Sequence, residues 1–423
     1  MEQMRKHPYH RGYEDAIIVE MESIKARGVL EPVSKHSSLR AVLAVAAAKD
    51  WILHQVDVKT AFLHANLDEE LYVRVPADLP GGGGTLRLRK AIYGPKQASR
   101  AWYKHLEGIM EGMGFHQSTA DPGVYLKDAG TDQMVVAVTW VDDIVMASKQ
   151  LHLVEEVEHG LEKDMQIKKQ GDLKHHLGME IQRQCSKILL TQKTYTQDVL
   201  YRFGMESCKG QKVPLNSKVK VTREAGEKLD KDGLKLYQEK VGSLQYLSTC
   251  TRPDINFAIG LLGRFCKCPT TFHMELADQV LLYIAWTRDM GLEFGGRKPN
   301  FIVYSDSAFG GETDERRSTT GFVCILSGGA VDWNSRLQQT VAVSACDEAE
   351  YQAARTAFRA ALWWRKLLPD LGIETGVVDI RGDNQSTLAV ISNPISSDKT
   401  KHIDTIHHFT RERVEMGEVR FSY

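Results

Sequence analysis

Two adjacent carboxylates, Asp142-Asp143, interrupt an otherwise apolar stretch, MVVAVTWVDDIVMAS, at residues 134–148. Charge inside an apolar strand pair is costly unless something offsets it. A divalent cation supplies that offset and suits carboxylate oxygens. Successive strand residues point to opposite faces, so a tight hairpin is the expected seat for the pair. The plain alternative is a polar hairpin turn, which explains the two aspartates but not the flanking apolar runs. Asp57, in HQVDVKTAFLHANL, ends a second strand-like stretch and precedes a helix-like one. Alone it reads as a helix N-cap. With Asp142 and Asp143 it would complete the carboxylate set of a two-metal phosphoryl-transfer site.

A second set lies toward the C-terminus. Asp306 closes the strand-like FIVYSDS, Glu350 lies in the helix-like SACDEAEYQAA, and Asp383 follows the strand-like VVDIRG. Acids at a strand end, in a helix and at another strand end can converge in an α/β domain and hold metals for phosphodiester hydrolysis. Spacing alone also allows three unrelated surface acids.

The elements that must position these groups follow from periodicity. Residues 101–114 have a helical apolar stripe of Trp102, Leu106, Ile109 and Met113. Residues 134–148 read as two buried strands, and Gly81–Gly84 as a flexible hairpin tip or an insertion between strand-like LYVRVP and LRLRKAI. From Phe301 onward strands and helices alternate, including a long helix over SACDEAEYQAARTAFRAALWWRKLL and a further one over KHIDTIHHFTRERVEM. That alternation predicts a compact α/β domain.

Composition sets the outer bounds. The 423 residues suggest two to four domains, with 42% apolar and 26% charged residues, as in soluble globular proteins. No apolar run approaches the roughly 20 residues of a membrane span, and the N-terminus has no signal-peptide pattern. An intracellular setting is therefore expected. Seven scattered cysteines do not make a disulfide framework, and Cys266 and Cys268 lack a second ligand pair at zinc spacing. His402, His407 and His408 do not share a helix face well, which argues against zinc there too. The net charge is −1, but Lys163–Arg223 holds 13 Lys or Arg against 5 Asp or Glu. A phosphate backbone could use that surplus, and a solvated face explains it equally well.

QVDVKTAFL, YGPKQASRAWY and WVDDIVMAS, in this order, closely resemble the palm of copia-type retrotransposon reverse transcriptases. GDLKHHLGMEI, ILLTQKTYTQDVLYRFGM and VGSLQYLSTCTRPDINFAIGLLGRF resemble later segments of the same family. YSDSAFGGETDERRSTTGFVCIL, VAVSACDEAEYQAA and GDNQSTLAV resemble its ribonuclease H domain. The resemblance covers nearly the whole chain. It implies that Asp57, Asp142 and Asp143 hold the metals for nucleotidyl transfer. It also implies that Phe62 is a steric gate against a ribose 2′-hydroxyl and that Gln97 lines the incoming-nucleotide pocket. Asp306, Glu350 and Asp383 become the hydrolytic metal ligands, with Glu350 preferred to Glu348 because the family's Glu directly precedes an aromatic residue or Leu.

The sequence departs from the family in places. Trp140 stands where a Tyr is usual before VDD, and Pro95 and Ser99 replace the usual Leu and Pro. The basic fingers segment expected before the palm is reduced, and the chain ends before a segment resembling ADIFTK, which would carry a fourth hydrolytic carboxylate. The chain is thus expected to be incomplete at both ends and impaired in activity. The expected fold is α/β (α+β). It comprises a reduced fingers region at 1–50, a palm at 51–155, a thumb and connection at 156–298, and a ribonuclease H-like domain at 299–423. The implied function is RNA-directed DNA synthesis with RNA-strand hydrolysis, using two Mg2+ per site with Mn2+ as a substitute. The implied partners are an RNA template, a DNA primer, an RNA/DNA hybrid and dNTPs, with no membrane. The expected setting is intracellular, either cytoplasmic in a virus-like particle or nuclear. The rival reading is a non-catalytic nucleic-acid-binding remnant of a decayed element.

Overall fold

The structure, a computed structural model, describes residues 34–75, 82–216, 220–295, 299–308, 317–338, 345–385, 388 and 413–423, with the backbone alone at 96 and 345–348. Contacts divide the chain into one unit of residues 1–35 and 52–172 and another of residues 36–51 and 173–423. The first described helix, α1 (His36–Lys49), belongs to the second unit.

The first unit runs β1 (Ile52–Val58), α2 (Ala61–His64), β2 (Tyr72–Arg74), β3 (Thr85–Arg87), α3 (Lys96–Gly112), β4 (His116–Gln117), β5 (Val124–Lys127), β6 (Val135–Trp140), β7 (Asp143–Ser148), α4 (Leu151–Asp164) and β8 (Ile167–Asp172). Its main sheet has six strands in the order β4-β5-β6-β7-β1-β8, antiparallel throughout. Alternate residues of β1 and β7 (Val56, Val58, Ile144, Met146) share a core with Trp102, Leu106 and Met110 of α3 and Val154, Val157 and Leu161 of α4. Helix α3 begins at Lys96, earlier than the apolar stripe predicts. The extra turn buries Ala98, one helical repeat before Trp102 and too small to register as a stripe residue. The helix ends where Gly114 takes φ +85°. The Phe115 amide then bonds the Met110 carbonyl and the Gly114 amide bonds the Glu111 carbonyl, a Schellman stop. Strands β2 and β3 pair as the expected hairpin, with residues 76–81 outside the described set.

The second unit continues with β9 (His175–His176), β10 (Met179–Gln184), β11 (Lys187–Thr191), α5 (Lys193–Arg202), α6 (Lys231–Cys250), α7 (Asn256–Gly263), α8 (Thr271–Trp286), β12 (Leu292–Gly295), β13 (Phe301–Ala308), β14 (Thr319–Leu326), β15 (Gly329–Leu337), α9 (Ala345–Asp370), β16 (Val378–Arg381) and β17 (Val419–Ser422). Helices α5 to α8 close a core that includes Tyr237, Leu244, Leu247, Ile259, Leu281 and Ile284. Arg40 of α1 is buried within this unit. It donates to the carbonyls of Val331, Thr249 and Cys250 and lies 4.0 Å over the Trp333 ring. Burial pulls its guanidinium down to about 10.

The C-terminal sheet has the order β15-β14-β13-β16-β17. Strands β13, β14 and β15 are antiparallel, and β16 and β17 join in parallel. Helix α9 packs on β13, β14 and β16, burying Ala357, Phe358, Ala361 and Trp364. This is the mixed α/β architecture expected of a ribonuclease H-like domain. The helix expected over KHIDTIHHFTRERVEM lies mostly outside the described residues, as do His402, His407 and His408. Among the described residues no helix is long and apolar enough to cross a membrane.

Candidate metal centres

In the first unit, Asp57 near the end of β1 lies directly opposite Asp143, the first residue of β7. Directly opposed residues of antiparallel strands share a face, with Cα atoms about 4.5–5.5 Å apart. Trp140 and Asp143 are the last pair of the β6–β7 hairpin, so Val141 and Asp142 form its two-residue loop. Val141 takes φ 55°, a left-handed conformation. For a β-branched residue this costs on the order of 1–3 kcal/mol and persists only where the surroundings impose it. Here the Trp102 indole donates to the Val141 carbonyl at 2.6 Å, and the Val58 amide donates to the Asp142 carbonyl at 2.8 Å. The turn thus lifts Asp142 out of the strand ladder beside Asp57 and Asp143.

Two of these carboxylates are held by neutral donors. Gln55 Nε2 donates to Asp143 Oδ1 at 2.7 Å. Burial pushes the Asp143 carboxyl above its ordinary range, the Gln55 bond opposes that, and the charges of Asp142 and Asp57 add to the rise. The Tyr93 hydroxyl donates to Asp142 Oδ2 at 3.4 Å. Burial raises the Tyr93 phenol, and Asp142 and Asp57 raise it further, which places the ring beside both acids. Tyr93 is 61% exposed, and its ring meets Phe62 edge-on at 4.4 Å. Phe62 itself is 5% exposed and belongs to the core. Gln97 is exposed on the first turn of α3. Sequence reasoning missed Tyr93. The available signal was an aromatic residue in a Gly- and Pro-bearing loop just before a helix.

In the second unit, Asp306 of β13, Glu350 of α9 and Asp383 just past β16 bring their carboxylate oxygens within 4.8 Å of one another. Parallel pairing of β13 with β16 sets the two aspartates side by side, and α9 delivers Glu350 from one face. Ser307 Oγ donates to Glu350 Oε1 at 2.9 Å. Glu350 is buried while Asp306 and Asp383 are exposed. Burial raises the Glu350 carboxyl most; the Ser307 bond opposes this, and Asp306 and Asp383 add to it. Three converging carboxylates with one forced upward match the donor set of a hard divalent cation. The side chain of Glu348 lies outside the described residues. A groove of about 350 Å³ opens beside Asp306, lined among others by Phe257, Tyr304, Phe322 and Trp333.

The sequence matches a family described as reverse transcriptase (RNA-dependent DNA polymerase) over residues 12–217. It is 35% identical over 396 residues to the retrovirus-related Pol polyprotein from transposon TNT 1-94 of Nicotiana tabacum, covering 92% of this chain and 30% of that polyprotein. A similar match to the polyprotein from transposon RE2 of Arabidopsis thaliana has 34% identity over 394 residues and covers 92% of this chain and 27% of that one. A putative transposon Ty5-1 protein of Saccharomyces cerevisiae is 30% identical over 305 residues, 71% of this chain and 98% of that protein. The chain belongs to the copia-type retrotransposon Pol family. It spans about 30% or less of the length of the plant polyproteins it matches. Among solved structures, a foamy viral protease–reverse transcriptase in complex with RNA/DNA hybrid superposes with TM-score 0.51 at 12% identity, covering 93% of this chain and 46% of that one. That likeness establishes a reverse-transcriptase fold for this Pol segment.

The basic stretch of this Pol segment is divided in the structure. Lys169 pairs with Glu162 at 3.0 Å and Glu158 at 3.8 Å. Arg183 pairs with Asp50, Lys187 with Glu293 and Lys193 with Asp289. Much of the local surplus is therefore neutralised, and Lys168 stays exposed without an ion pair among the described residues.

Proposed function

We propose that this Pol segment is an RNA-directed DNA polymerase with a ribonuclease H activity, each run by its own carboxylate set. The observation that carries the reading is the presence of two separate acid clusters, one at a strained hairpin opposite Asp57 and one at a β13–α9–β16 junction. In the first, Asp57, Asp142 and Asp143 would hold a Mg2+ pair, with Mn2+ as a substitute. When bound, the metals would neutralise charge on the transferring phosphate and on the attacking and leaving oxygens. Phe62, buried and buttressed by Tyr93, would offer a fixed ring edge against a ribose 2′-hydroxyl, and Gln97, exposed on the first turn of α3, would line the incoming-nucleotide pocket of a dNTP. In the second cluster Asp306, Glu350 and Asp383 would hold the metals for cutting the RNA strand of an RNA/DNA hybrid. An RNA template and a DNA primer complete the partners.

Extension is expected to be slow. Loss of one preorganised donor costs about 100- to 1000-fold in rate, and the short basic run read in the sequence ahead of Asp57 would supply fewer such donors. The expected reduction concerns residues 1–50, of which 1–33 lie outside the described residues. The test is primer extension on an RNA template beside cleavage of an RNA/DNA hybrid, both with Mg2+ or Mn2+. Asp142→Asn should abolish extension and spare cleavage, and Asp306→Asn should do the reverse. A wild-type chain that binds the hybrid but performs neither reaction would leave the non-catalytic remnant as the better account.

A further inference from the structure

We propose that the exposed indole of Trp286, with Lys209, Lys212 and Arg288 around it, is a stacking site for an unpaired base of a single-stranded nucleic acid. The site lies within the second unit and depends on neither acid cluster. Trp286 is the last residue of α8 and is 57% exposed. An exposed indole is a flat apolar face, and every base has a matching π-face, so stacking needs no particular sequence.

The neighbouring chain packs closely and still leaves the ring open. Residues 210–213 run against the end of α8, where the Gln211 amide donates to the Leu282 carbonyl at 3.1 Å. Gly210 is the point of contact. A Cβ there would lie 2.6 Å from the Trp286 Cβ and 2.7 Å from its amide nitrogen. A residue without a side chain is needed for that approach, and it meets the root of Trp286, not the ring. Lys212, two residues on, holds its ammonium 6.0 Å from the ring centroid.

Charge selects the ligand. In residues 203–216 and 286–290 the cations are Lys209, Lys212 and Arg288, and the acids are Glu206 and Asp289. Asp289 is taken by Lys193 at 3.3 Å. Lys209, Lys212 and Arg288 are exposed and have no ion pair among the described residues. Lys209 and Lys212 thus belong to the part of the basic stretch that is not neutralised. A helix C-terminus carries roughly half a negative charge, which would repel a phosphate. Here its carbonyls are occupied. Leu282 accepts from Gln211, Ala285 from Arg288 Nε at 3.2 Å and Thr287 from Arg252 at 3.0 Å. A bare ring among three unpaired cations suits one base and its flanking phosphates. An acidic peptide would engage the cations and leave the indole unused, and a duplex keeps its base faces stacked inside.

The experiment compares the full chain with Trp286→Ala, Trp286→Phe, Lys209→Gln and Lys212→Gln. Anisotropy of short labelled oligo-dT and oligo-rU is followed across a salt series, beside a blunt, fully paired RNA/DNA hybrid. Trp286→Ala is expected to weaken both single strands by about tenfold, the scale of one base stacked on an aromatic ring. Alanine keeps the Cβ on which Gly210 rests, and Trp286→Phe should recover most of the loss, as a flat ring does and a packing role does not. Lys209→Gln and Lys212→Gln should each lower the salt slope by about 0.7, the value of one phosphate contact on a single strand. The hybrid should bind Trp286→Ala within twofold of wild type. Asp142→Asn and Asp306→Asn should leave single-strand binding intact, so a failure of the proposed reactions is visible separately from a failure of this site. Trp286→Ala within twofold of wild type on both single strands overturns the proposal. So does an equal loss on the hybrid, a polyglutamate peptide that displaces the oligonucleotides as well as unlabelled single strand does, or a wild-type chain that binds neither oligonucleotide.

Discussion

The two acid clusters are assembled by different means. Asp306, Glu350 and Asp383 come from a strand, a helix and a strand end, and their oxygens already lie within 4.8 Å. The elements that carry them are fixed by the Phe358, Ala361 and Trp364 core. Asp57, Asp142 and Asp143 come from two strands and the loop that ends one of them, and no such convergence is formed there among the described residues. Gln55 engages one oxygen of Asp143 and Tyr93 one oxygen of Asp142, which leaves each carboxylate a second oxygen for a metal. The comparison teaches that a carboxylate set can be preassembled by secondary structure, or left waiting on a strained turn. The first kind should bind metal more readily than the second.

The largest expected effect concerns which glutamate completes the preassembled cluster. Glu350→Gln is expected to cost hybrid cleavage about 100- to 1000-fold, the scale of losing one preorganised electrostatic group. Glu348→Gln should cost far less. A steady-state cleavage assay decides, and a larger loss from Glu348→Gln would reassign the ligand.

The next effect separates the units by stability. Arg40→Met would leave the Val331 and Cys250 carbonyls buried without their donor. Each orphaned acceptor costs about 1–3 kcal/mol. Denaturant unfolding should show the second unit losing about 3 kcal/mol while a probe confined to the first unit, hydrogen exchange of the Leu106 and Met110 amides, keeps its midpoint. A common shift of both probes would show the two regions unfolding together.

A pH effect of similar or smaller size follows from His36 and His176 in the same unit. Burial lowers both to about 4, with Arg40 adding to the first and His36 to the second. Their folded values lie below the unfolded one, so the unfolded state binds protons first as pH falls. Stability is therefore full above about 6.5 and drains between 6.5 and 4, by at most about 3 kcal/mol for each histidine. Urea midpoints at pH 7 and 4.5 test this. Replacing His176 by Asn should flatten the dependence, and an unchanged slope would refute the assignment.

The smallest effect sharpens the comparison at the acids themselves. Glu350 and Asp143 are both raised, and each is opposed by one neutral donor, Ser307 or Gln55. Protonation would remove a proposed metal ligand, so activity should fall on the acid side sooner than for ordinary carboxylates. Ser307→Ala should move the acid limb of cleavage upward and leave extension alone, and Gln55→Leu should do the converse. pH–rate profiles with both substrates read this directly, and a shift in the wrong activity would contradict it.

Much of this was legible in the sequence, for identifiable reasons. Acids that interrupt apolar runs stood out at Asp142-Asp143 and Asp306, and the alternation after Phe301 announced the C-terminal sheet. What stayed hidden depends on distance or on rule-breaking geometry. Arg40 finds its carbonyl partners 209 to 291 residues away, beyond any local periodicity. The left-handed turn at Val141 uses a residue type that local propensity steers away from such turns. Lys168 and Lys169 look identical in a charge count and are told apart only by strand register.

The central claim is that a preassembled carboxylate cluster, proposed for hydrolysis, and an unassembled set, proposed for polymerisation, coexist in one chain. Mn2+ titration of the full chain, followed by electron paramagnetic resonance of the free ion, tests it most directly. The account predicts two classes of site, the tighter lost in Asp306→Asn and the weaker lost in Asp142→Asn. A single class, or loss of the tighter one in Asp142→Asn, would contradict it.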